Sequence, residues 1–515
     1  MFYASGSCRS RHGVKQEIMK QRTLFSLLPS GLEATLHEDN PWWRGERIFG
    51  LPEARRWAFT PVLDGVKSGA TPITVLRGPR QVGKTTLLNQ TITALLDEGI
   101  APRRIFRVQF DELPQLRPVA EPIIELVRWY AQEILQKSLN QAAWDGEQAF
   151  IFLDEVQNLP DWAPQLKHLV DMQPVRVVVT GSSALRIEAG RDSLAGRINT
   201  LEMGPLFLRE IAGVRKIGNL SGFLPANGLG PMKDKNFWLE LRRFGEDNRE
   251  LRDLAFAAFS ERGAYPAAQV RTDLSWEQLA DHLNETVVRR AIQHDLRMGP
   301  RGKQRDEHLL EEVFRLACRY LGQAPSQALY LSELKASLRA NLGWQRVLAY
   351  LKFLDGTLLL RLIHPLELRL KKKKGAPKLC LCDHALRAAW LQEVVPLTPV
   401  ALKKSSHLSD VAGRIAESVA GYFLRSIINL GVAHFPERGA EPEVDYILTI
   451  GEQRIPVEIK YRRRIDFKDT LGLRSFIEKS HYNAPFGIMI TLTDEAATDD
   501  PRIVSLPLST LLLLR

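Results

Sequence analysis

The sequence predicts an α/β protein of several domains, with a parallel sheet in its first half and a smaller α/β domain at its end. Two observations predict the sheet: a glycine-rich loop, Gly78 to Thr85, follows the apolar run 73–76, and another apolar run, 149–153, ends in adjacent carboxylates. Carboxylates and a Glu-x-Lys pattern within residues 445–460 predict the last domain. Since domains mostly span about 100 to 200 residues, a chain of 515 residues is expected to form roughly three.

The composition is that of a folded, basic protein. The formal net charge is +10, from 70 Lys and Arg against 60 Asp and Glu. This excess favours a polyanionic partner, although part of it can serve nucleotide phosphate or solubility alone. The 4 cysteines are too few and too irregularly spaced for a disulfide framework or a four-ligand zinc site. No run approaches the ~18 to 20 apolar residues of a membrane span, and no secretion signal is evident, so we expect a cytoplasmic protein with no membrane partner.

The loop that follows residues 73–76 matches the pattern G-x-x-x-x-G-K-[ST] and is followed by a stretch with helical apolar spacing. Such a loop binds nucleoside triphosphate because its backbone N–H groups and the helix dipole both face the phosphates. Lys84 is expected to reach the β and γ phosphates, and Thr85 to ligate Mg²⁺. The residues expected around the phosphates are Gly78, Pro79, Arg80, Gln81, Val82, Gly83, Lys84, Thr85 and Thr86. We therefore expect ATP and Mg²⁺ as cofactors.

The second apolar run ends in Asp154 and Glu155, which is a Walker B pattern. A buried parallel strand would bring Asp154 to its carboxyl end, beside the Mg²⁺ of the phosphate loop, and Glu155 would orient the attacking water. The pair therefore predicts ATP hydrolysis, and hence an enzyme. The structural alternative is that Asp154 caps the next helix and Glu155 is solvated.

A third apolar strand, 175–180, runs into short hydroxyl side chains. We expect Thr180, or else Ser182, to contact the γ-phosphate or the attacking water, the alternative being that these residues cap a helix. Arg191 and Arg197 follow closely and are candidates for an arginine finger, acting in the same subunit or in a neighbour; otherwise they form surface salt bridges. Delivery by a neighbour would require a homo-oligomer.

Six segments occur in a characteristic order: Asn40-Pro41-Trp42-Trp43, Arg77 to Thr86, Leu153 to Gln157, Thr180 to Ser183, Leu194 to Arg197 and residues 201–210. Together they resemble the bacterial and archaeal AAA-type ATPases that carry DUF4143, a domain of unknown function, at their C-terminus. The resemblance implies an AAA-like nucleotide domain over about residues 40–215, after an N-terminal extension, 1–39, and implies little about biological role. A polar, Gly-rich stretch, 213–247, departs from the family and indicates a long insertion.

Two further regions are predicted between the ATPase and the last domain. Residues 216–300 contain the insertion and a helical connector, because apolar positions recur there at helical spacing. Residues 301–400 show three helices and then a hairpin, the order of a winged helix. The hairpin contains the basic run 369–374, and residues 361–405 hold ten Lys or Arg against three Asp or Glu. This surface is expected to contact nucleic acid; the alternatives are a merely solvated lysine run or a protein-binding module.

Residues 401–515 carry a second group of reactive side chains: Asp445, Glu458 and Lys460, with Glu417 on a preceding helix. Glu458 and Lys460 lie two residues apart and so share a strand face. The arrangement resembles the PD-(D/E)xK nuclease core, which implies that Asp445 and Glu458 hold Mg²⁺, Lys460 positions water and Glu417 completes the pocket. Arg462, Arg463, Arg464 and Lys468 follow and are candidates for binding the cleaved strand. Chance occurrence in a charged sheet, or an inactive binding platform, is the alternative.

The expected fold is thus a P-loop NTPase parallel sheet, followed by a helical connector, a winged helix and a restriction-endonuclease-like α/β domain. The expected function is ATP binding and hydrolysis coupled to DNA binding, with Mg²⁺-dependent DNA cleavage depending on the last domain. One alternative is a regulatory ATPase switch without nuclease activity, whose C-terminal domains bind a protein or DNA partner. Another is a DNA-binding scaffold with slow ATP turnover and strongly salt-dependent affinity.

Overall fold

The fold is described from a computed structural model of the chain. It describes residues 28–29, 31–111, 113–116, 118–181, 194–224, 228–292, 306–338, 342–367, 375–437, 439 and 441–515.

The first half of the chain forms a five-stranded sheet of the order β2-β3-β4-β1-β5, which is a P-loop-like order. All of its neighbouring strands pair in parallel. β1 and β3 are buried along their whole length. This burial explains their continuous apolar sequences, since helices cover both faces of a parallel sheet. The strands are β1 (Ile73–Arg77), β2 (Ile105–Gln109), β3 (Phe150–Asp154), β4 (Arg176–Gly181) and β5 (Ile198–Glu202).

The Asn-Pro-Trp-Trp segment protects the open edge of this sheet at β2. Asn40 Oδ1 accepts a hydrogen bond from Arg107 N at 2.7 Å, and its Nδ2 donates to Arg107 O at 2.9 Å. The indole N–H groups of Trp42 and Trp43 both donate to Ile105 O. The unpaired N–H and C=O groups of an edge strand can pair with another chain. The side chains of this segment hydrogen-bond such groups of β2 and so block that pairing. The helices of this half are α1 (Leu32–Asp39), α2 (Phe59–Ser68), α3 (Lys84–Asp97), α4 (Pro122–Tyr130), α5 (Leu139–Trp144), α6 (Trp162–Met172) and α7 (Leu208–Val214).

A helical region follows the first sheet. The stretch 213–247, which the sequence indicated as a polar insertion, ends in a regular helix, α8 (Lys235–Asp247). Phe237, Trp238 and Leu241 of this helix are buried, and burial of this apolar face explains why the helix forms. In the sequence, the many Gly and polar residues that precede the helix obscure this apolar pattern. The helices that follow are α9 (Arg249–Arg262), α10 (Pro266–Val270) and α11 (Trp276–Leu283), which continues as a π-helical segment, Asn284–Arg289.

Residues 306–391 contain three helices, a two-stranded antiparallel hairpin and a further helix. Leu360 pairs with Leu381 in the hairpin, and the basic run 369–374 between its strands lies outside the described residues. The order of helices and strands agrees with the one that the sequence predicted for this region. The elements are α12 (Glu307–Arg319), α13 (Gln327–Leu338), α14 (Trp344–Gly356), β6 (Leu360–Ile363), β7 (Lys378–Leu381) and α15 (His384–Leu391).

The last part of the chain forms a mixed five-stranded sheet of the order β12-β11-β10-β9-β8. The pairs β8–β9 and β9–β10 are antiparallel, whereas β10–β11 and β11–β12 are parallel. The strands are β8 (Gly431–Phe435), β9 (Val444–Ile450), β10 (Gln453–Lys460), β11 (Gly487–Thr491) and β12 (Ile503–Pro507). The helices are α16 (Pro399–Lys404), α17 (Ser409–Ser426), α18 (Leu471–Ile477) and α19 (Leu508–Leu511).

One hydrophobic core connects these parts. It includes Leu88 of α3, Trp238 of α8, Leu351 of α14 and Ile455 of β10, all buried. The apolar end of the chain belongs to it as well: Leu513 and Leu514 are buried, and their carbonyls accept hydrogen bonds from the backbone at 223–224. Among the described helices, none combines the length and apolar character needed to cross a membrane.

Candidate functional site

The phosphate loop lies between the carboxyl end of β1 and the amino end of α3. Gln81 and Gly83 have positive φ angles of 64° and 92°, which turn the loop backbone toward the helix. Lys84 Nζ donates to Gly78 O at 3.1 Å and to Pro79 O at 2.9 Å. The lysine is therefore folded back over the loop, in the position from which it can contact phosphate oxygens.

The Walker B carboxylate lies beside this loop. Thr85 Oγ1 donates to Asp154 Oδ2 at 2.7 Å, and Asp154 is fully buried. The Thr180 hydroxyl donates to Asp154 Oδ1 and accepts a hydrogen bond from Glu155 N at 3.1 Å. The sheet explains this meeting, because β4 lies between β1 and β3 and all three end at the same edge.

Glu155 has an unusual backbone conformation. Its φ angle is 53°, in the left-handed region, which is uncommon for a residue other than glycine and costs about 1–3 kcal/mol. Its Oε1 lies 3.7 Å from Lys84 Nζ, and Gln157 Nε2 donates to its Oε2. The strained conformation directs the second carboxylate of the pair toward the phosphate loop.

The hydroxyl and carboxylate of this site fit the Mg²⁺ that a P-loop implies. Thr85 Oγ1 and Asp154 Oδ2 are hard oxygen donors that already lie 2.7 Å apart. Mg²⁺ prefers such oxygens, and in P-loop proteins it is bound by few protein ligands together with substrate phosphates.

Arg197 lies at the amino ends of the strands, opposite the phosphate loop. It directly precedes β5, and Ile198 pairs with Ile73 at the amino end of β1, whereas the phosphate loop leaves the carboxyl end. Its Nη2 is hydrogen-bonded to Asp171 Oδ2 at 3.1 Å. The structure thus does not bring Arg197 to the phosphate loop of its own subunit. The parallel register of β5 on β1 places Arg197 beside the amino end of β1, a full strand length from the loop. Ser182 and Arg191 lie outside the described residues.

Two buried arginines near the nucleotide site were not singled out from the sequence. Arg56 donates to Val82 O within the phosphate loop and to Glu210 Oε1 at 3.0 Å. Arg107 of β2 has its Nη2 3.8 Å from Asp154 Oδ2. Arg107 stands in the apolar run 105–108, which is a local sign of burial, but the partners of both arginines lie in other elements of the fold.

A pair of arginines that share one carboxylate connects the nucleotide site to the hairpin. Glu202, at the end of β5, is ion-paired with both Arg77, which precedes the phosphate loop, and Arg361 of β6. Burial by itself would raise the pKa of Glu202, but the charges of Arg361 and Arg77 lower the pKa to about 2. Glu202 therefore remains ionised between two guanidinium groups.

The side chains predicted for the second site also come together, at β9, β10 and α17. Asp445 Oδ2 accepts a hydrogen bond from Ile459 N at 2.8 Å, and Lys460 Nζ lies 2.5 Å from Glu458 Oε1. An unpredicted residue joins them: Lys378 of β7, whose Nζ lies 3.0 Å from Asp445 Oδ1 and also binds Glu417 Oε1.

Burial shifts the acids of this cluster. It raises the pKa of Glu458 to about 8, with repulsion from Asp445 adding to the effect. It also raises the pKa of Glu417 well above its ordinary value. The pKa of Asp445 would likewise rise on burial, but the Lys378 charge and its hydrogen bonds lower it.

The Mg²⁺ that a nuclease-like core implies does not fit this cluster. Asp445, one of the two carboxylates expected to hold the metal, accepts a hydrogen bond from the Lys378 ammonium through Oδ1, and this positive charge opposes a cation there. A cation bound between Asp445 and Glu417 would have to occupy the place of the Lys378 ammonium. In the part of the chain that the structure describes, no group of three or more His, Cys, Asp or Glu side chains could hold a metal ion. Only Glu458 Oε2, buried and without a hydrogen-bond partner, has the character of a free ligand.

The basic residues after β10 are exposed, but two of them have partners. Arg462 is ion-paired with Asp469, and Arg463 Nη2 donates to Pro399 O at 3.3 Å. Arg464 and Lys468 are also exposed.

The order of the first sheet, the phosphate loop after β1 and the Asp-Glu pair after β3 define the class of the first domain: an AAA-type P-loop nucleotide domain. Family models agree. An AAA domain model (AAA_14) matches residues 70–212, and models of two domains of unknown function, DUF8612 and DUF4143, match residues 254–394 and 412–511. The chain therefore contains an AAA domain and a C-terminal DUF4143 domain, which confirms the resemblance seen in the sequence motifs.

Individual relatives match parts of the chain. An uncharacterized protein of Mycobacterium tuberculosis is 30% identical over 143 residues, which are 27% of this chain and 26% of that protein. One of Methanocaldococcus jannaschii is 31% identical over 145 residues, 28% of each protein. One of Haemophilus influenzae is 23% identical over 320 residues, 61% of this chain and 68% of that protein. The chain thus spans about a quarter of the length of the first of these relatives.

Among solved structures, the Walker-type ATPase PABY2304 of Pyrococcus abyssi is similar with a TM-score of 0.41 and 15% identity. The match covers 66% of this chain and 98% of that one.

Proposed function

We propose that this chain binds and hydrolyses ATP at the phosphate loop. The observation that carries the proposal is the 2.7 Å hydrogen bond from Thr85 to Asp154, with Glu155 Oε1 3.7 Å from Lys84 Nζ. Lys84 would bind the β and γ phosphates, Thr85 and Asp154 would hold Mg²⁺, and Glu155 would orient the attacking water. Bound Mg²⁺ supplies neutralisation of phosphate charge.

Thr180 positions the two acidic residues rather than the phosphate. Its hydroxyl donates to Asp154 and accepts from the backbone of Glu155, so both its proton and a lone pair are used. A γ-phosphate contact by a hydroxyl after β4 is thus left to Ser182. An arginine-finger role for Arg197 requires the nucleotide of a neighbouring subunit, because this residue lies at the far edge of its own sheet.

The test compares Glu155→Gln and Lys84→Ala with wild type for ATP binding and hydrolysis. Glu155→Gln should keep ATP binding and lose hydrolysis by about 10²–10⁴-fold, as expected for loss of a general base. Lys84→Ala should lose both. Lys67→Ala is the matched control, since Lys67 forms an exposed ion pair with Glu98 in the same domain. Hydrolysis by Glu155→Gln at the wild-type rate would refute the assignment.

We further infer that ATP turnover is coupled to DNA binding by the C-terminal half. Three helices followed by the hairpin β6–β7 support a winged-helix-like unit. A mixed sheet bearing Asp445, Glu458 and Lys460 supports a restriction-endonuclease-like domain. The net charge of +10 and the exposed Arg464 and Lys468 suit a polyanion.

The experiment measures ATP hydrolysis and DNA nicking together, with and without duplex or single-stranded DNA. Coupling predicts that DNA changes the ATPase rate of wild type. Nicking that Lys460→Ala abolishes while ATP hydrolysis persists would instead identify the last domain as a Mg²⁺-dependent nuclease, against the misfit of Mg²⁺ to its cluster. An ATPase rate indifferent to DNA would refute the coupling.

The second candidate function is an ATP-driven switch without nuclease activity. The contact of Lys378 Nζ with Asp445 Oδ1 favours it, because this positive charge opposes a metal ion at one of the two carboxylates expected to hold one. In the same experiment this candidate predicts no nicking by wild type under any condition.

A further inference from the structure

Lys378 is a buried charge that comes from outside the sheet it contacts. It begins β7 of the hairpin, only 1% of its side chain is exposed, and its Nζ reaches across to β9 and α17. Asp445 Oδ1 lies 3.0 Å from this nitrogen and Glu443 Oε1 lies 3.5 Å from it, while Glu417 Oε1 is in direct contact. The ring of Tyr446 lies 5.1 Å from the nitrogen.

Burial of a lone ammonium costs several kcal/mol, so such a group persists only where nearby charges and hydrogen bonds compensate it. Here the stabilisation is mutual, because the acidic side chains stabilise the buried ammonium and the ammonium stabilises them. Without Lys378, Glu417 and Asp445 would be adjacent buried carboxylates with little to oppose their repulsion, since Lys460 is directed to Glu458. The lysine thus performs for this cluster the neutralisation that a bound cation would otherwise perform.

The hairpin is hydrogen-bonded to the last sheet and to α17 on both sides of Lys378. Leu381 N donates to Ser418 Oγ at 3.0 Å, and Cys380 Sγ lies 3.3 Å from the Tyr446 hydroxyl. On the other side, His434 Nε2 lies 3.0 Å from Ala376 O. The lysine is therefore held in place by neighbours in both directions along its strand.

We propose that Lys378, in contact with Glu417 and Asp445, is the resident counter-ion of the Glu417–Asp445–Glu458 cluster and opposes the binding of a divalent cation there. The cluster is then a charge-neutralised junction between the hairpin β6–β7 and the last sheet, and not a metal-dependent nuclease centre. This inference goes beyond ATP hydrolysis and is independent of it.

The test uses Mn²⁺ alone as the probe, without nucleotide, so that its result is separate from that of the ATPase experiments. Mn²⁺ binding is followed by electron paramagnetic resonance and by the thermal unfolding midpoint of the full chain. Wild type should bind no Mn²⁺ at the cluster. Lys378→Met, which keeps the side-chain volume and removes the charge, should bind one Mn²⁺ at least tenfold more tightly than wild type.

The controls locate the new site. Lys378→Met combined with Asp445→Asn should lose the gained Mn²⁺ binding. Lys479→Met should behave as wild type, because Lys479 forms a half-buried ion pair with Glu441 in the same domain, outside the cluster. If Lys378→Met does not fold without metal, Lys378→Met with Glu417→Gln also removes the carboxyl group that contacts the lysine, and this variant should fold and still bind Mn²⁺ more tightly than wild type.

Two results would overturn the proposal. One is stoichiometric Mn²⁺ binding by wild type that Asp445→Asn abolishes, which would show a metal site alongside Lys378. The other is a folded Lys378 variant, single or double, that gains no Mn²⁺ binding.

Discussion

Arg77 is ion-paired with Glu202 at the carboxyl edge of the first sheet, one residue before the phosphate loop begins. Arg361 of the hairpin β6–β7 binds the same carboxylate, and all three residues lie where β1 and β5 end side by side. The nucleotide loop and the C-terminal half thus share one charged group. A shift of the loop on nucleotide binding would be transmitted to the hairpin through the ion pairs of Glu202.

We predict that Arg361→Gln changes ATP affinity although Arg361 lies outside the nucleotide domain. After loss of the Arg361 guanidinium, Glu202 is ion-paired with Arg77 alone. Because Arg77 directly precedes Gly78, a change in this ion pair can displace the start of the phosphate loop. Coupling of this kind is typically about 0.5–2 kcal/mol, or roughly 2- to 30-fold in the ATP dissociation constant. Arg346→Gln, which removes an exposed ion pair with Asp306, is the control. Equal ATP affinities in the two variants would mean that the Glu202 bridge only stabilises the fold.

Thr180→Val should lower kcat for ATP hydrolysis by about 10- to 100-fold with little change in ATP binding. The substitution leaves Asp154 Oδ1 and the Glu155 N–H buried without the hydroxyl, at about 1–3 kcal/mol for each unsatisfied group. Thr180→Ser retains the hydroxyl and should stay within a few-fold of wild type. Steady-state hydrolysis and equilibrium ATP binding measure the two effects, and a Thr180→Val enzyme of normal kcat would exclude the positioning role.

Gly78→Ala should destabilise the phosphate loop and weaken ATP binding. A Cβ at this position would lie 2.2 Å from the Met203 carbonyl oxygen, a backbone atom that cannot turn away. Gly213→Ala is the matched control, because its Cβ would meet nothing within 4 Å and it lies in α7, where alanine is favoured by about 0.5–1 kcal/mol. The thermal unfolding midpoint should therefore fall for Gly78→Ala and rise for Gly213→Ala.

His434 predicts a specific loss of stability in acid. Burial, with the nearby Lys378 charge, lowers its pKa from 6.5 to about 4. The folded chain thus favours neutral His434, and unfolding takes up a proton between these two values. The free energy of unfolding is therefore fully retained above pH 6.5 and falls as the pH drops toward 4, by about 2 kcal/mol at pH 5.

The measurement compares the unfolding midpoints of wild type and His434→Gln at pH 7 and pH 5. The variant should lose less stability than wild type over this interval, whereas His481→Gln, at an exposed position, should follow wild type. A pH dependence unchanged in His434→Gln would contradict the assignment.

The nucleotide site was predictable because its information is local. The loop 78–85 is contiguous, and its backbone conformation follows from glycine positions and from the helix that begins at Lys84. The apolar runs that became β1, β3 and β4 could be identified as buried parallel strands, and the carboxyl ends of such strands meet at one edge. The approach of Thr85, Asp154 and Thr180 follows from these facts.

Placement at a given end of a strand, or in a neighbouring element, was not encoded locally. Arg197 follows a segment expected near the γ-phosphate, but the register of β5 on β1 places it at the opposite edge. Arg56, Arg361 and Lys378 resemble ordinary basic residues in the sequence, and each has its partner in a separate element of the fold.

The linear sequence thus specified the phosphate loop, the acidic pair and the order of helices and strands, since each depends on residues close together in the chain. Long-range packing specified which charges share a buried site, because an ion pair or a metal site depends on distances between separate elements. Lys378 shows the difference: the carboxylates of the last domain resemble a metal site in sequence, and a lysine from the hairpin neutralises them in the folded chain.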